Sequence, residues 1–137
     1  MEHYKTIDHE ADIGFEIYGN TMEDLYRNAV EALFSLIVKP GKMKPEKGKR
    51  LDLIENDGQE LLIVFLNELL YMWDMGGFIP SEMSLKIQRN KLTGTVIGGI
   101  YDPSRDTIKG EVKAVTYHKF SIKEVNGMIK ATVIVDL

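Results

Sequence analysis

Residues 122–136 read IKEVNGMIKATVIVD and hold the clearest structural signal in the chain. Asn126-Gly127 stands between two runs of β-forming residues, and this dipeptide favours the tight turn of a β-hairpin. Beyond the turn, apolar and polar residues alternate with a period of two, which predicts a strand over 128–136. One face then carries Ile129, Ala131, Val133 and Val135, and the other carries Lys130, Thr132, Ile134 and Asp136.

Working outward, the same period predicts strands over 112–125, 92–100, 83–87, 51–53 and 13–17. Gly98-Gly99 lies inside one of these strands and indicates a bulge or a close approach of two backbones. Residues 102–106 read DPSRD, a composition typical of a turn.

Two helices are predicted between the early strands. Thr21 precedes Asp24 by three residues, a capping pattern for a helix over about 22–38 that Pro40-Gly41 ends. The second helix follows a cap at Asp57, is apolar on most sides through Trp73, and ends at Gly76-Gly77. We therefore predict an α+β two-layer sandwich, with two main helices packed on one mixed, largely antiparallel sheet of about six strands.

Composition limits the class of protein. The chain has 137 residues, a net charge of −4 and no cysteine, so we expect a single domain over 1–137 without disulfides or thiolate chemistry. No signal peptide or 20-residue apolar run is visible, so we expect a cytoplasmic protein with no membrane partner. Residues 39–50 carry most of the clustered basic charge and are read as an exposed connection, with contact to RNA or an acidic partner as the alternative.

Candidate functional residues lie at both ends of the chain. Asp8, His9 and Asp12 directly precede the strand at 13–17, and they cannot all face the core. They are either solvated, hydrogen-bonded to loop amides, or bound to a cation, and a loop held by its Asp side chains is the simplest of these. If Asp136 and the carboxylate of Leu137 meet them, the oxygen cluster suits Mg²⁺, Ca²⁺ or Mn²⁺ rather than zinc.

A third segment, residues 111–119, reads EVKAVTYHK. Extended backbone places Lys113 on one face and His118 on the other, with Ala114 and Thr116. A single histidine at a strand end is more often structural than catalytic. The chain contains no nucleophile elbow, Walker loop, dinucleotide glycine pattern or His-Glu-x-x-His sequence.

At these three segments the sequence resembles the archease family. DHEADIG at 8–14 is similar to the family's Asp-His-Thr-Ala-Asp-Ile-Gly opening, with Glu10 where threonine is usual. EVKAVTYH at 111–118 resembles its second signature, VIVDL at 133–137 resembles its acidic C-terminus, and 60–71 resembles its second helix. The matches run in order from residue 8 to residue 137.

The resemblance implies a protein that is not an enzyme by itself and activates an RtcB-type RNA ligase in tRNA splicing. It would promote GTP-dependent guanylylation of the ligase and multiple turnover, reach RNA only through the ligase, and bind no DNA. By the same resemblance Asp12, Asp136 and Leu137 would hold a divalent cation, with Asp8, His9, Glu10, Lys113 and His118 nearby. A small metal-dependent hydrolase and a chaperone-like interaction module are the alternatives.

Overall fold

The computed structural model describes residues 2–8 and 12–137. Two helices are present, α1 over Met22–Ser35 and α2 over Leu61–Gly76. The described residues also form nine strands: β1 Tyr4–Asp8, β2 Asp12–Gly19, β3 Val38–Lys39, β4 Lys47–Ile54, β5 Phe78–Gln88, β6 Lys91–Ile100, β7 Thr107–Ile108, β8 Ala114–Val125 and β9 Met128–Asp136. Neither helix is long and apolar enough to cross a membrane.

The strands form three antiparallel sheets. The first has the order β1-β2-β9-β8, the second has the order β4-β6-β5, and the third is the short pair β3-β7. The predicted α+β class, with two helices packed on antiparallel strands, is confirmed. The expectation of one mixed sheet of about six strands is corrected to three purely antiparallel sheets. More strands are present than expected because β1 is mostly polar and two-residue strands have no readable period. The division into three sheets depends on long-range strand pairing, which the period of a single strand does not reveal.

Helix α1 begins as its sequence signal predicts, whereas the predicted cap of α2 at Asp57 is wrong. The N-cap of α2 is Glu60, which makes no side-chain capping hydrogen bond, because Asp57 instead accepts the Gln59 N–H at 2.9 Å in the turn before the helix. The Thr21 hydroxyl accepts the Asp24 N–H at 3.1 Å, as the capping pattern predicts. Helix α1 ends at Ser35 rather than 38, because Val38 leaves the helix to pair with Ile108 in β3-β7. At the end of α2, Gly77 adopts a left-handed conformation with φ 68°, as expected for a glycine C-cap.

The predicted alternation of β9 is also observed. Ala131, Val133 and Val135 are buried in the core that the helices share with the sheets. The opposite face carries Lys130, Thr132 and Asp136, and Ile134 on that face is buried as well. The predicted turn at Asn126-Gly127 connects β8 to β9.

Gly98 lies where two strands come unusually close. The register between β5 and β6 shifts at Pro80/Glu82, next to Gly98. A Cβ atom at Gly98 would overlap the carbonyl oxygen of Ile79. The predicted close backbone approach is therefore confirmed.

The turn at 102–106 holds a buried carboxylate, which the sequence analysis did not anticipate. Asp106 accepts hydrogen bonds from the Gly41 N–H (2.8 Å), the Asp102 N–H (2.9 Å) and the Arg105 guanidinium (2.9 and 2.8 Å). The Arg105 guanidinium and these amides hold the pKa of Asp106 well below its usual range. The turn is thereby attached at Gly41 to residues 39–50, the basic stretch predicted to be an exposed connection. That segment is only partly a loop, since residues 47–50 already belong to β4.

A candidate functional site at the acidic end of the four-stranded sheet

Asp12 and Asp136, which the sequence places at opposite ends of the chain, lie side by side. Strands β2 and β9 pair so that Asp12 is directly opposite Asp136. On the other side of β9, Asp136 is opposite Ala114, the first residue of β8. The Lys113 N–H donates a 2.8 Å hydrogen bond to the Asp136 carbonyl oxygen. Four strand ends therefore meet at one end of the sheet, since Asp8 at the end of β1 pairs with Ile13.

The two aspartates share a face of the sheet. Directly opposed residues of adjacent strands point the same way, so Asp12 and Asp136 lie on the face away from the core residues Val133 and Val135. Asp136 is exposed, and Asp12 is half-buried. We call this pair the acidic pair.

A second carboxylate on the same face of β2 is already neutralised. Glu16 forms an ion pair with Lys130 of β9, and both side chains are largely covered. The hydrogen bond from Lys130 lowers the pKa of Glu16, and the same bond raises the pKa of Lys130. Glu16 is therefore committed to a structural contact within the sheet.

The other predicted site residues are placed as follows. Lys113 is exposed and immediately precedes β8, and Leu137 is 40% exposed directly after Asp136. His9 and Glu10 lie outside the described residues, as does the side chain of Asp8. The sheet thus brings Asp12, Asp136, Lys113 and Leu137 to one end.

His118 lies in a bulge of β8 that the strand periodicity did not predict. The register between β8 and β9 shifts between Thr116 and Ser121, and Lys119 within it has φ 53°. The Thr116 hydroxyl donates to the Ile134 carbonyl oxygen at 2.9 Å and accepts the His118 N–H at 3.3 Å. The alternation of faces predicted through His118 therefore ends at Thr116, because the next four residues of β8 have no pairing partner in β9.

Asn67 of α2 supports this end of the sheet, and the sequence analysis did not single it out. Its side-chain amide donates to the Val115 carbonyl oxygen at 2.9 Å, and its oxygen accepts the Val115 N–H at 2.9 Å. The amide also donates to the Ile63 carbonyl oxygen of its own helix at 3.1 Å. Asn67 thus satisfies the main-chain hydrogen-bonding groups of Val115, on the open edge of β8 one residue after Ala114. The sequence did contain a signal for this role: Asn67 is a polar residue in a largely apolar helix, and a buried amide needs hydrogen-bond partners.

Tyr117 shows how α2 lies along β8. Partial burial raises the pKa of its phenol, and the negative charges of Glu60 and Glu55 raise it further. Residues 57–59, directly before α2, line a surface pocket together with Ile122 of β8, whereas Asn67 contacts Val115 near the start of β8, so α2 runs antiparallel to β8. The C-terminal end of α2 therefore points towards the acidic pair.

The acidic pair offers some of the donors that a divalent cation needs. Carboxylate oxygens are the ligands that Mg²⁺, Ca²⁺ and Mn²⁺ prefer, so the acidic pair has suitable chemistry. Within residues 2–8 and 12–137, no group of three or more His, Asp or Glu side chains is placed to hold an ion. The described side chains thus fit part of a coordination shell, and further oxygen ligands would be needed to complete it.

Comparisons with known proteins agree with this architecture. The Archease protein family (MTH1598/TM1083) matches residues 4–137. A protein archease from Thermococcus kodakarensis is 34% identical over 128 residues, covering 90% of this chain and 88% of that one. A protein archease from Methanothermobacter thermautotrophicus is 33% identical over 141 residues, covering 100% of both.

Two solved structures are similar over nearly the whole chain. The solution structure of Methanobacterium thermoautotrophicum protein 1598 has a TM-score of 0.85 at 33% identity and covers 100% of both chains. The crystal structure of an archease, possible chaperone, from Thermotoga maritima has a TM-score of 0.64 at 23% identity, covering 97% of this chain and 96% of that one. The second likeness shows the fold alone. The family match over 4–137 and the full-length relatives confirm the resemblance found in the sequence motifs, and the chain belongs to the archease family.

Proposed function

We propose that this chain is a cytoplasmic, single-domain, metal-binding accessory protein that activates an RtcB-type RNA ligase. It would promote GTP-dependent guanylylation of the ligase and restore multiple turnover, without catalysing a reaction of its own. The observation that carries the proposal is the direct opposition of Asp12 and Asp136 at a sheet end where Asp136 is exposed. Membership of the archease family supports the proposal, because both residues lie in the segments by which the sequence resembles that family and within the matched range 4–137.

The acidic pair would hold a divalent cation, Mg²⁺, Ca²⁺ or Mn²⁺, with Leu137, directly after Asp136, as the third residue of the site. The bound ion would supply positive charge for phosphate oxygens at the ligase site. The Lys113 N–H binds the main chain of Asp136, and Asn67 joins β8 to α2, so the strand end that carries Asp136 is supported from the side of β8. Asp8, His9, Glu10 and His118 are expected to lie near the ion or to contact the partner.

A ligase turnover assay tests the proposal directly. GTP-dependent RNA ligation would be measured with ligase alone, and with ligase plus wild-type chain, at fixed Mg²⁺ or Mn²⁺. We expect many turnovers only when the chain is present, and no ligation by the chain alone. Asp12→Asn and Asp136→Asn should each reduce the stimulation at least tenfold, whereas Asp52→Asn, at an exposed position of β4, serves as the matched control.

The outcomes separate the functional classes. Loss of stimulation in both site variants, with folding unchanged, supports the accessory role. Wild-type stimulation in Asp12→Asn and Asp136→Asn would remove the acidic pair from the mechanism. Stimulation that persists after metal chelation would favour a chaperone-like role, the role that the Thermotoga maritima structure names as possible for that protein. Phosphoester hydrolysis by the purified chain in Mg²⁺ would favour a hydrolase.

A further inference from the structure

The segment Lys39–Arg50 is strongly basic in an acidic protein. We call it the basic segment. It has one acidic residue, Glu46, against six cations, in a chain whose net charge is −4: Lys39, Lys42, Lys44, Lys47, Lys49 and Arg50. All six cations are exposed. Among the described residues, no ion pair involves any of them, because the observed pairs are His3–Glu31, Arg27–Asp24, Arg105–Asp106 and Lys130–Glu16.

Strand β4 displays part of this charge in a regular array. It is an edge strand of the sheet β4-β6-β5. Lys47 and Lys49 lie on one face of it, separated by roughly 6.6 Å along the strand. This separation is comparable with that of successive phosphates along a nucleic-acid strand.

The opposite face of β4 carries further groups that are able to donate hydrogen bonds to phosphate oxygens. Arg50 is opposite Thr95 of β6, which is in turn opposite Ser84 of β5. Guanidinium and hydroxyl groups are common donors to phosphate oxygens. Strands β4 and β6 contain no aromatic residue on which a base could stack. Both faces of β4 therefore offer donors to phosphate oxygens, and neither β4 nor β6 offers an aromatic ring for recognition of bases.

Two connections in the fold relate the basic segment to the acidic pair. Lys47 pairs with Gly98 near the end of β6, and the Tyr101 N–H binds the carbonyl oxygen of Gly77 just after α2. The C-terminal end of α2 points towards the acidic pair. A second connection runs along the chain, because Asp106 binds the Gly41 N–H and Lys113 binds Asp136. Residues 106 and 113 are at most about 25 Å apart, since an extended residue spans no more than about 3.6 Å.

We infer that the basic segment contacts the sugar-phosphate backbone of RNA, with Lys47 and Lys49, on one face of β4, as its principal contacts. The identification of the polyanion as RNA rests on the proposed function, since an RNA ligase brings RNA to the acidic end of the protein. The contact is independent of base sequence and sensitive to salt, because it replaces counterions on phosphates. This chain therefore reaches RNA directly, and not only through the ligase.

The test uses the whole chain without ligase. A fluorescein-labelled single-stranded RNA oligonucleotide would be titrated at several salt concentrations, and binding followed by anisotropy. Lys47→Gln/Lys49→Gln would be compared with Lys5→Gln/Lys123→Gln, which removes the same charge from exposed positions of β1 and β8. The first variant should bind at least fivefold more weakly and lower the slope of log K against log salt by about 1.4, the value for two lost phosphate contacts. The control variant should stay within twofold of wild type.

Four results would overturn the inference. The first is no measurable binding of wild type at low salt, and the second is equal weakening in both double variants. The third is equal affinity in all three proteins, which would leave Lys47 and Lys49 only the role of discouraging edge-to-edge aggregation, a common role of lysines on edge strands. The fourth is displacement of the RNA by polyglutamate at equal charge concentration, which would indicate an acidic protein partner. These results are independent of ligase stimulation, so failure of the RNA contact is distinguishable from failure of the accessory function.

Discussion

Asp12 lies directly opposite Asp136 in adjacent antiparallel strands. Like charges in this arrangement repel each other and disfavour the strand pair, and a cation held between them would reverse the effect. The stability of the four-stranded sheet should therefore depend on divalent ions through these two residues. This dependence of stability on divalent ions can be measured without any partner protein.

Asp136→Asn is predicted to uncouple stability from divalent ions. In chelated buffer the variant should be as stable as wild type or more stable by about 0.2–1 kcal/mol, because one of the two opposed charges is gone. With Mg²⁺ at ten times its dissociation constant, wild type should gain about 1.4 kcal/mol and the variant much less. Thermal unfolding at increasing Mg²⁺, with Asp52→Asn as control, measures both effects. The same ion response in wild type and Asp136→Asn would contradict the assigned site.

Asn67→Ala is predicted to destabilise the protein by about 2–4 kcal/mol, because three hydrogen bonds are lost and the polar groups of Val115 are left unpaired. Urea unfolding measures the change, and hydrogen exchange should show a less protected Val115 amide. Asn56→Ala, at an exposed position before α2, should change stability by less than about 0.5 kcal/mol. Equal protection of the Val115 amide in wild type and Asn67→Ala would show that Asn67 does not support the edge of β8.

Two glycines of the three-stranded sheet should respond very differently to alanine. At Gly98 the new Cβ would overlap the Ile79 carbonyl oxygen, so we expect a loss of about 2 kcal/mol or more, or a failure to fold. At Gly48 the nearest atom is the Thr95 Cγ2 at 4.0 Å, so Gly48→Ala should be tolerated. Urea midpoints of the two variants make the comparison. Similar midpoints would mean that β5 and β6 are further apart at Gly98 than described.

Ionisation of Asp106 is predicted to make the free energy of unfolding depend on pH. Its pKa is lowered in the folded protein by Arg105 and by main-chain amides. The stabilisation is therefore fully present above the unfolded carboxyl pKa of about 3.9 and is lost progressively as the pH falls below it. Asp106→Asn should lower the urea midpoint at pH 7, and the gap to wild type should narrow below about pH 4. Arg105→Gln should show the same trend, and a gap that stays constant down to pH 3 would exclude the ionised carboxylate as its cause.

Turns, caps and helix ends that are encoded by a few neighbouring residues could be predicted from the sequence. The turn at Asn126-Gly127, the cap at Thr21 and the helix end at Gly77 depend on the backbone preferences of a few adjacent residues. The alternation of β9 depends on which side chains avoid water, and this period is visible in one strand alone. Strands β3 and β7 have only two residues each, so no period could reveal them.

The sequence by itself determined the α+β class, the positions of both helices, the terminal hairpin and the motifs of the archease family. These follow from propensities and patterns within short segments. Only the tertiary structure decided that Asp12 faces Asp136, that Asn67 binds Val115 from 48 residues away, and that Asp106 binds Gly41 from 65 residues away. Such contacts depend on strand order and register, which are set by how the helices and sheets bury their apolar faces together. The acidic pair is therefore formed by the fold, from residues that the sequence places at opposite ends of the chain.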